Sequence, residues 1–371
     1  MTTISDPAAQ TGQAAKTGQP AQTGQPRPTA EPAQSAQPSQ PGLSTIEDAP
    51  ATSTGGRART LAWLITKRLG SALLVLWIAV TLTFLAVHIA PGDTVSLLLG
   101  ENRDDPIARA QVISRWGLDQ PIWSQYLTYL GRIPSGDLGV SYTLRRPVAE
   151  LLAQGAAPTL ILTFAATVTS LLIALVATLI NTAPVRGLRA ATSGIQLVVL
   201  SLPPFWLAIL LLTVVSFGWG WFSIVDQNSW QALVLPTLAL AIPMGFYLTQ
   251  VLSDGVFRAI EQPFAVTARS RGLGPAAVRY RHAFRHAALP AVHLVGLSVG
   301  GLLGGAVIVE QIFGRPGLGQ LAVSAVTVKD VPLILGVTLV STAAFIAAST
   351  VVDLIGIVLD PRLRRTQGAP A

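Results

Sequence analysis

Three short motifs combine residue types that carry chemistry in other proteins. The first, "GLSVG" from Gly296 to Gly300, matches the nucleophile elbow of hydrolases, in which the serine stands on a tight strand-to-helix turn and a histidine follows it in the chain. Here Ser298 lies in an apolar stretch, and the last histidine, His293, precedes it. We therefore predict that these glycines allow close helix packing and that Ser298 is not a nucleophile.

The other two motifs resemble a metal site and a nucleotide site. "HAFRH" places His282 and His286 on one helical face, a spacing that can hold zinc, but the protease version needs a glutamate where Ala283 stands. "GLGQLA", from Gly317 to Ala322, resembles a dinucleotide fingerprint, but no strand is predicted before it and no acidic residue follows about twenty residues later. We predict surface histidines in a docking helix and a turn at the membrane surface.

The sequence contains few of the residue patterns that an enzyme would need. A phosphate-binding loop needs a lysine directly after a glycine, and none of the three lysines, Lys16, Lys67 and Lys329, follows one. The chain has no cysteine, which excludes a thiolate nucleophile or metal ligand. We expect no enzyme activity and no cofactor, with a membrane enzyme or receptor of the same number of spans as the alternative.

The composition is that of a membrane protein. Of the 371 residues, 50% are hydrophobic and only 12% are charged, about half the charged fraction of a soluble domain. Residues 1–56 are rich in Pro, Gln, Thr and Gly, and we expect a disordered, low-complexity cytoplasmic tail. Residues 57–366 are predicted to form an all-α transmembrane domain with six spans, at about 69–90, 158–180, 194–217, 232–252, 289–312 and 332–359.

The distribution of Lys and Arg predicts the orientation of these spans. With the N-terminus in the cytoplasm, fifteen such residues fall in cytoplasmic segments near the membrane, and two, Arg315 and Lys329, fall in short outside loops. Both termini and the loop 253–288 are then cytoplasmic, and the long loop 91–157 after the first span is extracytoplasmic. The net charge of +7 follows from this bias, and we expect no nucleic-acid partner.

The cytoplasmic loop is predicted to be a helical hairpin. Helix-forming residues run from Glu261 to Arg271, Gly272 allows a turn, and Pro275 suits the first position of a second helix that ends near residue 288. The small residues Ala265, Ala268 and Gly272 would let the backbone of a partner approach. The alternative is a solvated basic loop near anionic lipid headgroups.

The same stretch, "ARSRGLGPAAVRYRHAFRHAALP", resembles the EAA loop of ABC-importer permeases. That loop has a small-residue helix, a glycine, and about fifteen residues later an apolar residue before Leu-Pro. The matching positions are Thr267, Ala268, Gly272, Leu289 and Pro290. Thr267 replaces the acidic residue of the family pattern, a departure that is usual in the peptide-transporting branch.

Further pieces carry the resemblance across most of the chain, from about Lys67 to Arg365. They are "APGD", "WGLDQPIWSQYLTYL", "GDLGVSY", "GGAVIVEQIFGRPGLG" and "LDPRLRR". In this order and topology they resemble the permeases of the dipeptide, oligopeptide and nickel import branch.

The resemblance implies a permease that forms half of a translocation path in the cell membrane. The implied partners are a second permease, identical or homologous, two ATPase subunits that bind the ATP, an extracytoplasmic solute-binding protein and membrane lipid. The loop 261–288 would couple to the ATPase, and the cargo would be a di- or oligopeptide, nickel or another solute.

Charged groups within spans are candidates for contact with the cargo because they are costly there. Glu310 lies near the outer end of the fifth span, Asp353 inside the sixth, and His88 near the outer end of the first. We expect each to lie close enough to a membrane surface to reach water, and we assign Glu310 and Asp353 to the substrate path.

Overall fold

The computed structural model describes residues 54–102, 104–227 and 229–359, so almost all of the predicted tail lies outside it. Within these ranges the chain is built from helices, and its one β-type pairing is an isolated bridge between Val140 and Pro147. The predicted all-α fold is confirmed.

In chain order the helices are α1 (Thr54–Ile89), α2 (Thr94–Leu99), α3 (Pro106–Trp116), α4 (Ile122–Arg132), α5 (Val148–Asn181), α6 (Arg186–Ser201), α7 (Pro204–Leu210), α8 (Gln231–Ile260), α9 (Pro263–Ser270), α10 (Pro275–Ala277), α11 (Phe284–Phe313), α12 (Leu318–Thr327) and α13 (Val331–Leu359). Short 3₁₀ turns lie at Gly100–Asn102 and Ile133–Ser135. Two π-helical segments, Leu211–Gly218 and Val278–Ala283, continue α7 and α10.

Five helices in the described part, α1, α5, α8, α11 and α13, are long and apolar enough to cross a membrane. Helix α6 and the segment Pro204–Gly218 are together apolar enough for a sixth, and they meet at a bend of 104°, the geometry of a broken span or a re-entrant loop. The sequence predicted a single span at 194–217, and the structure shows two helical segments with a sharp bend between them. Pro203 and Pro204 lack backbone N–H groups, so the helix ends at Ser201 and restarts in a new direction.

The core lies where α5, α8 and α11 meet. Leu162 of α5, Leu235 of α8 and Phe313 of α11 are almost completely buried in one apolar cluster. Close approach depends on small residues: a Cβ atom at Gly245 of α8 would lie 2.7 Å from the Ile173 side chain of α5. Packing of this kind drives helix association in a bilayer, where lipid tails are as apolar as the side chains.

Helix α5 extends from the long loop to the hairpin. Its 34 residues span about 51 Å at about 1.5 Å per residue, more than the thickness of a bilayer core. Its first residue follows the loop 90–147, and the carbonyl of Leu179 near its last turn accepts a hydrogen bond from Tyr280 Oη of the hairpin at 3.3 Å. The two loops therefore lie at opposite ends of the bundle.

The long loop folds into a layer over the ends of α1 and α13. The stretch "IWSQYLTYLGR" forms α4, and Tyr126 of that helix shares a 2.6 Å hydrogen bond with Thr81 of α1. Tyr129 packs in the same cluster as Phe84 and Leu335, and burial raises the pKa of its hydroxyl to about 12. The segment is a packed structure rather than a tether.

Candidate functional site

The hairpin begins where α8 ends. Gln262 is extended, Pro263 starts α9, and Gly272 reverses the chain with a φ of +83°, a left-handed conformation that favours glycine. Pro275 then starts α10, which continues through the π-helical segment into α11 without a break. The predicted turn is present, but the prediction that the second helix ends near residue 288 is wrong.

The small residues of α9 face the inside of the hairpin. Ala265 is fully buried and Ala268 is 9% exposed, and both pack against Val278 with Phe264 and Leu273 at the edge of the cluster. These alanines allow the two arms to lie close together. The prediction that Ala265 and Ala268 are open to the backbone of a partner is therefore wrong.

The opposite face of α9 is the accessible one. Val266 is 55% exposed, and Thr267, Ser270 and Arg271 are also exposed. Gly272 lies at the tip, and a Cβ atom built on it would meet nothing within 4 Å. We call Val266, Thr267, Ser270, Arg271 and Gly272 the outer face of the hairpin.

The hairpin is anchored to the end of α8. Arg269 donates from Nη2 to the carbonyl of Ile260 at 2.9 Å and from Nε to the carbonyl of Ala265 at 3.2 Å. A second apolar cluster joins Val256 and Ala259 of α8 to Ala283 at the end of the π-helical segment and Ala287 of α11. Both arms of the hairpin are therefore in direct contact with the last turns of α8.

Leu289 and Pro290 lie on α11, in a part of the helix where the structure describes the backbone and not the side chains. Their predicted contribution to coupling stays a prediction.

Comparison with known proteins identifies the kind of protein that carries this hairpin. Residues 181–365 match the family "Binding-protein-dependent transport system inner membrane component", and residues 61–163 match the corresponding N-terminal family. The chain is 36% identical over 310 residues to the glutathione transport system permease protein GsiC of Escherichia coli O6:H1, covering 81% of this chain and 98% of the relative. The chain belongs to this family. The permease is thus a multi-pass protein of the cell membrane.

Two further relatives have similar identities to the permease. The GsiC proteins of Escherichia coli K12 and Salmonella paratyphi A are 35% and 34% identical to the permease, each over 81% of this chain and 98% of its own. A crystal structure of an amino acid ABC transporter with histidines aligns with 56% of the permease and 93% of its own chain, at a TM-score of 0.46 and 20% identity.

The family assignment distinguishes a transport permease from the alternative of a membrane enzyme or receptor. The permease is a transport subunit of an ABC importer, in the branch that includes peptide permeases, and the prediction from its motifs is confirmed. Subunits of this family are permeases and not enzymes, which removes the membrane-enzyme alternative.

Glu310 of the permease is buried, contrary to the expectation that it reaches water. It has no exposed surface, and its carboxylate accepts hydrogen bonds from Thr159 Oγ1 at 2.6 Å and the backbone N–H of Gly319 at 2.8 Å. Thr159 Oγ1 in turn accepts from the N–H of Leu318 at 2.8 Å. The carboxylate therefore caps the N-terminus of α12 and joins α5, α11 and α12.

The "GLGQLA" stretch is the start of α12 rather than a surface turn. Side chains at Gly317 or Gly319 would overlap the Glu310 carboxylate or the backbone of α11, so glycine is needed for close approach at both positions. The glycine spacing that resembles a nucleotide motif serves this packing.

The other candidate residues have local roles or fall outside the description. The side chain of Asp353 lies outside the described part of α13, so its assignment to the substrate path stays a prediction. His88 Nδ1 hydrogen-bonds to the carbonyl of Phe84 at 2.8 Å within α1. His286 stacks on Phe264 at 4.5 Å, and Ser298 Oγ donates to a carbonyl one turn earlier in α11.

Sequence reasoning missed the pair Lys329 and Asp330, which hold the layer formed by the loop 90–147 to the bundle. Lys329 Nζ donates to the carbonyls of Ala90 and Gly92 at 2.6 and 2.8 Å, where the end of α1 favours a positive charge. Asp330 is fully buried, accepts from Ser141 Oγ at 2.6 Å and caps α13. The sequence did contain a signal for this cap: Asp330 lies two positions before Pro332, and an acidic residue followed by a proline is typical of a helix start.

Proposed function

We propose that the permease pairs with a second permease to form the translocation path, receives solute from a binding protein at the layer 90–147, and is driven by two ATPase subunits that contact the hairpin. Thr267 and Gly272 make this contact from the outer face, Ala268 supports it from inside the hairpin, and Leu289 and Pro290 connect it to α11. ATP is held by the ATPase subunits, and the permease needs no cofactor of its own.

The observation that carries the proposal is the hairpin itself. It is folded against α8 and α11, presents a compact exposed face, and lies at the opposite end of the bundle from the folded outer layer. A basic loop that only lies near lipid headgroups would have no need for a buried cluster of its own.

We propose further that both termini and the hairpin lie in the cytoplasm, in keeping with the excess of Lys and Arg on that side. A reporter fused after Arg271 is expected to report a cytoplasmic position, and one fused near Gly136 an external position. The opposite result would reverse the assignment of the hairpin to the ATPase side.

Peptides are the proposed cargo, with glutathione as the first candidate, because the relatives that are 34–36% identical are named as glutathione transport permeases. Uptake of labelled glutathione and of trialanine by vesicles that contain the complete transporter tests this directly. Import of neither would contradict the proposed cargo.

The contact with the ATPase is tested by Val266→Asp, with Ile122→Asp as the matched control. The two side chains are 55% and 54% exposed, one on α9 of the hairpin and the other on α4 of the outer layer. We expect Val266→Asp to reduce co-purification of the ATPase at least tenfold and Ile122→Asp to leave it unchanged. Equal retention of the ATPase by both variants would favour the solvated-loop alternative.

A further inference from the structure

A polar cavity of about 500 Å³ lies between α5, α6 and α8, at the end of the bundle that carries the hairpin. Its walls include Asn181 at the end of α5, Arg189 and Gln196 on α6, and Ser253 and Asp254 on α8. None of these residues belongs to the outer face of the hairpin or to the buried network around Glu310. The proposed function assigns the cavity no role.

Several groups that line the cavity are buried and lack a hydrogen-bond partner. Asn181 and Ser253 are each 5% exposed, and neither Asn181 Oδ1 nor Ser253 Oγ has a partner. Nε of Arg189 is also without one, although the same guanidinium donates from Nη2 to the carbonyl of Ala183 and lies 5.2 Å from the ring centre of Phe257. Buried polar atoms are normally paired, so three polar groups beside this cavity have unused hydrogen-bonding capacity.

The chemistry of the walls suits a peptide backbone. The cavity offers an amide oxygen, a hydroxyl group and a guanidinium N–H, together with the carboxylate of Asp254 and the side-chain amides of Gln196 and Gln250. Peptides carry both amide donors and amide acceptors, with a positive and a negative end. A site of this composition can bind the backbone whatever the side chains are.

The cavity is also joined to the hairpin. Gln250, Ser253, Asp254 and Phe257 lie on the last three turns of α8, and Arg269 of the hairpin holds the carbonyl of Ile260 just beyond them. The last turns of α8 therefore connect the hairpin to the wall of the cavity.

We propose that this cavity is a binding site for the backbone of the transported peptide on the hairpin side of the permease, and that movement of α8 opens and closes it. This inference rests on the proposed peptide cargo. Movement of α8 uncovers Asn181 Oδ1, Ser253 Oγ and Arg189 Nε, which now lack partners, and these atoms then hydrogen-bond to the peptide.

The first test removes the unpartnered groups without leaving a large hole. In the complete transporter, Asn181→Leu and Ser253→Ala are each expected to lower peptide uptake about fivefold, the effect of one lost hydrogen bond. Ser253→Ala is the decisive variant, because a purely structural Ser253 would leave uptake unchanged when its unpartnered hydroxyl is removed, whereas Asn181→Leu also removes the 3.1 Å hydrogen bond from Asn181 Nδ2 to Gln196 Oε1. Thr163→Val is the matched control, because Thr163 Oγ1 is also buried and unpartnered but does not line this cavity.

The second test uses the absence of cysteine from the chain. In the assembled transporter Ser253→Cys adds a single thiol to the permease, and we expect saturating trialanine, which has no thiol of its own, to slow its modification by methanethiosulfonate ethylammonium about fivefold during ATP turnover. Thr163→Cys should show no such protection.

The results of these tests distinguish the proposed peptide cargo from the proposed binding site in the cavity. Absence of peptide uptake by the unmodified transporter contradicts the cargo and the site together. Normal uptake by Asn181→Leu and Ser253→Ala, or an unprotected thiol in a transporter that imports peptide, contradicts the site alone.

Discussion

Replacement of Gly272 by glutamate tests whether the hairpin couples the permease to the ATPase or is only a passive connector between helices. Gly272 has a φ of +83°, and an L-residue in the left-handed region costs about 1–2 kcal/mol. No atom lies within 4 Å of the position of its Cβ, so the side chain creates no clash within the chain. The hairpin clusters around Val278 and Val256 are untouched. We therefore expect Gly272→Glu to insert, fold and pair with its fellow permease.

The effect on coupling is expected to be much larger than the effect on folding. A carboxylate at the tip of the hairpin must lose water when the ATPase docks, and a buried charge without a partner costs several kcal/mol. A cost of about 3 kcal/mol weakens association by about two orders of magnitude. Uptake should then be lost while the amount of permease in the membrane stays near normal.

Two further variants distinguish the backbone effect from the charge. Asparagine tolerates the left-handed conformation better than most residues and adds no charge. We therefore expect the Gly272→Asn variant to retain most peptide uptake. Gly274→Glu places the same charge two residues further on, at an ordinary φ of −64° and again in open space. This variant has no left-handed backbone strain, so any loss of uptake that it causes must come from the charge in the turn.

The assay measures ATPase co-purification and peptide uptake in membranes matched for permease content. Loss of both with Gly272→Glu and retention of both with Gly272→Asn supports the reasoning. Normal uptake by Gly272→Glu would refute it, because the hairpin would then be a basic connector with no role in coupling.

Three other outcomes are expected. Ala268→Glu buries a carboxylate inside the hairpin and should open it, seen as faster tryptic cleavage after Arg269 and Arg271. Arg281→Ala leaves both of these sites in place and should not change the rate at them; equal rates for the two variants would contradict the packing described for α9. In Gly319→Ala the new methyl group would overlap the backbone of α11, and we expect the free energy of unfolding in detergent to fall by about 1–3 kcal/mol. In Gly304→Ala the methyl group meets no atom within 4 Å, and we expect no loss of stability. Lys329→Met removes two hydrogen bonds to the end of α1 and should cost about 1.5–3 kcal/mol, so an unchanged melting temperature would argue against this anchor.

The amino-acid sequence by itself determined the class of protein, the number of apolar runs and the position of the hairpin. A bilayer offers no hydrogen bonds to a bare backbone, so long apolar runs must be helical, and the turn residues at Gly272 and Pro275 mark a local reversal that needs no distant partner. The motifs spread from Lys67 to Arg365 were sufficient for the family.

Only the tertiary structure decided which way the side chains face. Periodicity places Ala265 and Ala268 on one face of α9, but it cannot tell whether that face packs on its own hairpin or on a partner. The bend at Pro203 could not be distinguished from a tolerated kink by hydropathy alone.

The same limit applies to the buried charges. Glu310 was expected at a wet surface because its depth was estimated from the ends of a span, yet its partner Thr159 is 151 residues away in the chain. The contacts of Lys329 with Ala90 and Gly92 join residues more than 230 positions apart. Such pairs come together only when the helices pack, because sequence spacing carries information about neighbours on one helix and none about neighbours across the bundle.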